Sequence, residues 1–283
     1  MSQILVVGRS GQLAQALVAS AAVPVTCLGA QDHDFFDLEA TRALLARTGV
    51  QTLINTAAYT AVDQAETQAE AAYRLNETLP AGLAKVCKEL SIGLIHISTD
   101  YVFDGALPRE QSYRPDDPTR PLNTYGRSKL AGEQAVLTTL PEACIVRTSW
   151  LMSRFGKNFL TTMARLIQER AELNVVADQW GTPTLAGDLA QILLKTIAPT
   201  LGRYPGVQQV SGGETLSWYQ VALAIREGLK NRDMTLAKIN AIDSTAYPTT
   251  AARGKNTALE SLKVPSTSLR SRLIDEVKEF SLL

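Results

Sequence analysis

Tyr125 and Lys129 stand four residues apart in the segment Asn123-Thr-Tyr125-Gly-Arg-Ser-Lys129. On a helix that spacing sets two side chains one turn apart on the same face. Thr124 or Asn123, just ahead, could cap such a helix. An ammonium beside a phenol favours the ionised phenol, so Lys129 is expected to lower a pKa that ordinarily sits near ~10. A tyrosine tuned in this way can give a proton to a carbonyl oxygen near neutral pH. The spacing is also common in ordinary surface pairs, so the rest of the chain must decide.

A proton donor for a carbonyl needs a hydride source, and the N-terminal segment has the pattern for one. Gly8-Arg-Ser-Gly11-Gln-Leu-Ala14 follows a short apolar run and opens a helical pattern, with the spacing G-x-x-G-x-x-A. Glycine is needed where backbone approaches a pyrophosphate, and the helix N-terminus supplies amides and the positive end of its dipole. Gly8, Arg9, Ser10, Gly11, Gln12 and Leu13 are therefore candidate cofactor contacts. An acidic residue at the end of the second strand usually holds the 2′-hydroxyl of NAD. Here Cys27-Leu-Gly-Ala-Gln31 carries no carboxylate, the first being Asp32 and Asp34, while Arg9 could meet a 2′-phosphate. NADP(H) is favoured on this ground and NAD(H) is possible. Asp37 and Leu38 are candidates for the adenine edge. Ala57, Ala58 and Tyr59, after a third strand, are candidates for backbone lying close to the cofactor.

The elements that must position these residues alternate. Strands are expected at residues 4–7, 23–28, 52–55, 93–97 and 143–147. Helices are expected at 12–22, 38–48, 65–90 with a break near Pro80, and 130–137, continuing from Tyr125. Short apolar strands alternating with helices imply βαβ units and a parallel sheet. Beyond Trp150 the pattern is less regular: helices at 158–170, 187–197, 218–229 and 266–280, strands at 174–176 and 207–210, and a loop over the sheet edge at 109–121. The fold class is α/β, a Rossmann-like doubly wound parallel sheet with a smaller, interwoven C-terminal substrate-binding lobe. Residues 1–150, with a return segment near 186–212, form the NADP-binding domain; residues 151–185 and 213–283 form the lobe.

The fourth strand runs into Ser98-Thr99-Asp100-Tyr101. Ligands of doubly wound sheets collect at the carboxyl ends of strands, so Thr99 is expected to offer its hydroxyl to a substrate carbonyl beside Tyr125 and Lys129. With 28 basic and 28 acidic residues the net charge is zero, which argues against nucleic-acid or membrane binding by broad electrostatics. Three widely spaced cysteines and two histidines suit neither a disulfide framework nor a metal site. The start of the chain lacks the pattern of a signal peptide, and a cytoplasmic location is expected.

These segments together resemble the extended short-chain dehydrogenases/reductases and, more narrowly, the dTDP-4-dehydrorhamnose reductase family. The resemblance rests on residues 8–14, 55–66, Asn76, 98–103, 121–133, 147–150, 158–159 and 178–184, in family order over nearly the whole chain. The run Thr-Ala-Val-Asp-x-Ala-Glu together with Ser-Thr-Asp-Tyr-Val-Phe is its most specific part. It implies reduction of the C4 ketone of a nucleotide-diphosphate sugar, most closely dTDP-4-dehydro-L-rhamnose. Tyr125 would be the proton donor, and Lys129 would bind the nicotinamide ribose and lower the Tyr125 pKa. Thr99 would hydrogen-bond the ketone, Asp100 and Tyr101 would line the sugar pocket, Trp150 would form an apolar wall, and Asn158 and Arg253 would meet the diphosphate. Some family members carry glutamates that share a magnesium ion between subunits. Ala16 and Gly187 stand at those positions, so no metal is expected, and the chain is expected to be a monomer or weak homodimer. The family's Arg-Pro-x-Asn-Ser reads here Arg253-Gly-Lys-Asn256-Thr257. Two alternatives stay open: an epimerase or dehydratase of the same superfamily, for which Asp100 could be the acid/base, and a non-catalytic NADP-binding regulatory subunit.

Overall fold

A computed structural model of the chain describes residues 4–22, 24–230, 235–262 and 267–280. The first half runs β1 (Ile4–Val7), α1 (Gln12–Ser20), β2 (Thr26–Leu28), α2 (Leu38–Thr48), β3 (Thr52–Asn55), α3 (Val62–Ala65), α4 (Ala69–Tyr73), a π-helical turn at Arg74–Thr78, α5 (Leu79–Leu90), β4 (Gly93–Thr99), α6 (Thr124–Thr139) and β5 (Cys144–Thr148). The second half runs β6 (Leu151–Met152), α7 (Phe159–Glu169), β7 (Glu172–Val176), β8 (Trp180–Gly181), β9 (Thr184–Leu185), α8 (Ala186–Ile192), β10 (Gly206–Gln209), β11 (Leu216–Ser217), α9 (Trp218–Gly228), β12 (Lys238–Ile242) and α10 (Leu269–Phe280).

The central sheet has the order β10-β5-β4-β3-β1-β2 and every pairing in it is parallel. Its strands are apolar on both faces because helices cover both. Leu5, Val7, Leu53 and Leu94 face a core that includes Leu45, Leu83 and Val86. Val6, Ile54, Ile95 and Val146 face the opposite core, with Leu13, Leu17 and Leu189. Strand order reverses between β1 and β3, so the crevice at their carboxyl ends is the place for a ligand. Residues 186–209 return to this sheet, where β10 becomes its edge beside β5. A third core, including Met152, Leu160, Ile167, Val221, Ile225 and Leu273, belongs to α7, α9, α10 and their short strands. No helix among the described residues is long and apolar enough to cross a membrane.

Differences from the expected elements have local causes. β4 continues past Ile97 to Thr99, and α6 starts at Thr124 because Asn123 caps it, its side chain accepting from Gly126 N at 2.8 Å. The expected long helix near Pro80 is interrupted. Proline has no N–H to give to the carbonyl four residues back, here Asn76. The chain widens into the π turn, and Leu79 N–H reaches the carbonyl of Arg74 instead. β12, which pairs in parallel with β7, was not expected at all. The expected starts of a strand at Val23 and of a helix at Ser266 lie outside the described residues.

Candidate active site

Close backbone approach delivers Tyr125 to the end of β4. A Cβ at Gly126 would lie 2.2 Å from the carbonyl oxygen of Tyr101, so only glycine lets the first turn of α6 seat there. Tyr125 is thereby buried beside Tyr101, their rings edge-to-face at 5.5 Å between centroids. Its phenol hydrogen-bonds the Thr99 side chain. Lys129, one turn further, is fully buried. Thr99 and Tyr125 thus meet at the carboxyl end of β4, while Lys129 reaches Ile97 and His96 of the same strand.

The electrostatics correct one expectation. Burial, aided by the charge of Asp100, pushes the Tyr125 phenol up from its ordinary value, although the Thr99 hydrogen bond opposes it. The lysine does not counter this, because its ammonium end is committed elsewhere. Nζ donates to the carbonyl of Ile97 at 2.7 Å and lies 3.3 Å from Nε2 of His96. Burial pushes Lys129 itself down to about 8, with Glu133 opposing. Glu133 is held by Arg147 through Nε at 2.9 Å and NH2 at 2.7 Å, and accepts from Ser98 Oγ at 2.5 Å. This buried pair fastens α6 to β4 and β5. Neither partner was read from the sequence, since a Glu four residues after a Lys also describes a solvated helix face.

At the crevice, Gly8 has φ of 115°, and a Cβ there would meet Thr56 Oγ1 at 2.6 Å and Ala57 N at 2.9 Å. Gly11 begins α1 with no capping side chain. This cradle, which a Cβ would fill, together with a helix N-terminus fits a dinucleotide pyrophosphate. Ser10 is exposed beside it. Gln12 ties this turn to the second half of the chain, donating to Leu151 O at 3.1 Å and accepting from Ser153 Oγ at 3.1 Å. Leu13 is buried in the core, so only its backbone can face a ligand. Arg9 pairs with Asp32 at 2.8 Å, and Asp32 also accepts from Gly29 N at 2.8 Å. A cation from the turn after β1 and a carboxylate from the turn after β2 therefore meet here, the carboxylate being the first one that follows β2 in the sequence. Asp37 caps α2, accepting from Ala40 N at 2.9 Å. Leu38 packs on Gly82 of α5. Ala57 N donates to Asn55 Oδ1 at 3.1 Å. Ala58 is half-buried beside it. The backbone of Tyr59 is gripped from both sides by the side chain of Asn76, at 2.8 and 3.1 Å.

A pocket opens at Tyr101, whose ring packs on Tyr125, and is lined also by Phe103, Trp150, Gln179, Trp218 and Arg253 among others. Trp150 has φ of 46°, a strained value for a bulky residue, and stacks on Trp218 with centroids 3.5 Å apart. Trp218 was missed in the sequence, where it reads only as the first residue of an amphipathic helix. Arg253 reaches Asp63 with both terminal nitrogens, at 3.1 and 2.8 Å.

Two residues assigned to this site lie elsewhere. Asp100 is beneath the pocket, not on its wall: it is buried, and accepts from Thr257 Oγ1 at 2.6 Å. Burial pushes its carboxyl up to about 6. Asn158 caps α7, accepting from Thr161 N at 3.3 Å and donating to the carbonyls of Ser153 and Phe155 at 2.7 and 3.1 Å. These bonds occupy its amide, so it is not placed to bind a diphosphate.

The family model described as RmlD substrate binding domain matches residues 1–273. A dTDP-4-dehydrorhamnose reductase from Aggregatibacter actinomycetemcomitans is 36% identical over 274 residues, covering 93% of this chain and 92% of that one. A dTDP-4-keto-6-deoxy-D-glucose reductase from Streptomyces niveus is 43% identical over 223 residues, covering 77% of this chain and 75% of that one. Among solved structures, the dTDP-4-dehydrorhamnose reductase of Bacillus anthracis str. Ames in complex with NADP aligns at a TM-score of 0.88 and 31% identity, covering 100% of this chain and 99% of that one.

Proposed function

The chain belongs to the RmlD substrate binding domain family, and we propose that it reduces the C4 ketone of dTDP-4-dehydro-L-rhamnose to give dTDP-L-rhamnose. The observation that carries this reading is the meeting of Thr99 and Tyr125 at the sheet edge, between the glycine crevice and the tryptophan-walled pocket. NADPH bound in the crevice supplies the hydride to C4. The cation at Arg9 and the NADP complex of the similar B. anthracis protein favour NADPH; Asp32 leaves NADH usable. Gly8, Gly11 and the first amides of α1 would hold the pyrophosphate.

Tyr125 gives its hydroxyl proton to the ketone oxygen as the hydride adds to carbon, so C=O becomes CH–OH. Thr99 donates a hydrogen bond to the same oxygen. The stacked Trp150 and Trp218 rings offer an apolar face to the deoxy carbon, and Arg253, its fork held by Asp63, offers its positive charge to the diphosphate. Residues 1–150 with the return segment at 186–212 would carry the cofactor, and residues 151–185 and 213–283 the sugar nucleotide. The free thiols of Cys27, Cys87 and Cys144 support a cytoplasmic location. Ala16 and Gly187 have no oxygen side chain for a metal bridge, which supports a monomer or weak homodimer.

The test is NADPH and NADH oxidation, followed by absorbance, against nucleotide-linked 4-keto sugars. The expected result is stoichiometric oxidation with the rhamnose precursor, lost in Tyr125→Phe while cofactor binding persists. Product formed without net oxidation, as an epimerase or dehydratase gives, overturns the reading. So does a stoichiometric partner protein with no turnover of any sugar. The Streptomyces relative favours a second substrate, dTDP-4-keto-6-deoxy-D-glucose, which belongs in the same panel.

A further inference from the structure

Behind the lysine lies a line of hydrogen bonds whose direction can be worked out. Asn55, at the end of β3, is oriented by Ala57, whose backbone N–H points at Oδ1 across 3.1 Å. Its Nδ2 therefore faces Nδ1 of His96 at 3.0 Å. An amide nitrogen has only hydrogens to give, so Nδ1 must accept. A neutral imidazole that accepts at Nδ1 carries its proton on Nε2. That Nε2–H points at Nζ of Lys129, 3.3 Å away. His96 is fully buried, and both burial and the lysine hold it well below its ordinary pKa, so the imidazole stays neutral.

We propose that Asn55 and His96 are positioning residues that present an N–H, rather than a lone pair, to Lys129 and so weaken its hold on a third proton. An amine satisfies this setting: its lone pair accepts from His96 and one hydrogen goes to Ile97 O. An ammonium sets two donors against each other. The other groups facing Lys129 are few. Tyr125 and Glu133 share its helix, Arg147 on β5 neutralises Glu133, and Asp100 lies beyond Thr99, bonded to Thr257. Burial alone already pushes the Lys129 pKa in the same direction. The consequence for catalysis rests on the reductase reading, in which Lys129 works as a cation at the cofactor ribose: activity should fail on the alkaline side earlier than an ordinary lysine requires.

The chain has two histidines, so both can be followed. Long-range proton–nitrogen NMR of the free protein labelled with 15N-histidine reads the tautomer, with His33→Gln assigning the signals. The expected spectrum shows His96 neutral and protonated on Nε2 from pH 6 to pH 8. The Nδ1–H tautomer or an imidazolium overturns the proposal, and this measurement needs no substrate. Asn55→Asp should reverse the line: a carboxylate accepts from Nδ1–H, and Nε2 then turns a lone pair to the ammonium. In that variant the tautomer should flip and the alkaline limb of kcat/KM should rise by about one pH unit. A tautomer that stays, or a limb that stays, overturns the proposal. Loss of the reductase reading shows separately, as absent NADPH oxidation in the unaltered protein.

Discussion

Asp63 and Arg253 meet as a two-pronged ion pair across 190 residues of sequence. The same carboxylate accepts from Ala251 N at 2.9 Å, so it holds both the side chain and the backbone of the C-terminal segment. The Arg253 hydrogen bond keeps the Asp63 carboxyl below its usual range. In the proposed reaction this pair aims the guanidinium at the diphosphate. Asp63→Asn keeps the shape and loses the charge-assisted bond. KM for the nucleotide sugar should rise about tenfold, the effect of roughly 1.5 kcal/mol, while kcat changes little. Steady-state kinetics with an unchanged KM would show that the pair only fastens the fold.

The tryptophan wall can be separated into strain and stacking. Trp150 is held at positive φ by its neighbours: it lies flat on Trp218, and Gly181 leaves room for its indole, where a Cβ would come within 2.6 Å of the ring. Removing the ring loses the stack in any variant, but the left-handed backbone costs a non-glycine residue about 1–2 kcal/mol. Trp150→Gly should therefore be at least as stable as Trp150→Ala, the reverse of their usual order outside left-handed positions. Urea unfolding midpoints decide. Both variants should lose tenfold or more in kcat/KM if the indole faces the sugar.

Asp100 gives a pH signature with a definite sign. Burial pushes its carboxyl in the folded protein up from the usual carboxylate range to about 6. Between those values the folded protein holds a proton that the unfolded chain has released, so stability falls as pH rises through the window. Asp100→Asn removes the titration and still accepts from Thr257. From pH 4 to pH 7 the stability of the natural protein relative to this variant should drop by about 2–3 kcal/mol. A relative stability that is flat in pH, or that climbs, refutes the burial argument.

The sheet, the glycine turn and the helical placement of Tyr125 and Lys129 were legible because local rules govern them. Alternating apolar runs set the strands, the G-x-x-G-x-x-A turn sits at a strand–helix junction, and the four-residue spacing of Tyr125 and Lys129 is a helical turn. The state of those residues was not legible. Whether Lys129 lowers the Tyr125 pKa depends on where Nζ points, and that is settled by Ile97 O and His96 on β4. Asn158 and Asp100 have side chains that suit a polar ligand, yet each is spent within the protein, on a helix cap in one case and on the sequence-distant Thr257 in the other. Trp218 and Glu133 were missed for the converse reason: each matches an ordinary helical pattern, and only packing shows that they meet Trp150 and Arg147.

Gly132 tests how tightly α6 must be seated to hold Tyr125 and Lys129 in place. By helix propensity alone, replacing a mid-helix glycine with alanine stabilises by about 1 kcal/mol. Here a Cβ would lie 1.9 Å from the carbonyl oxygen of Asn76, in the π turn that Pro80 creates, and backbone cannot swing aside as a side chain can. The same Asn76 donates to Ser128 Oγ on α6 at 2.9 Å, so the helix is pinned at the point of collision. Overpacking should outweigh propensity, and Gly132→Ala should destabilise by about 1–3 kcal/mol. The displaced helix carries Tyr125 and Lys129 with it, so kcat should fall even at temperatures where the variant is fully folded. A variant that is more stable than the natural protein and equally active would show that the approach of α6 to the π turn has slack to absorb a methyl group.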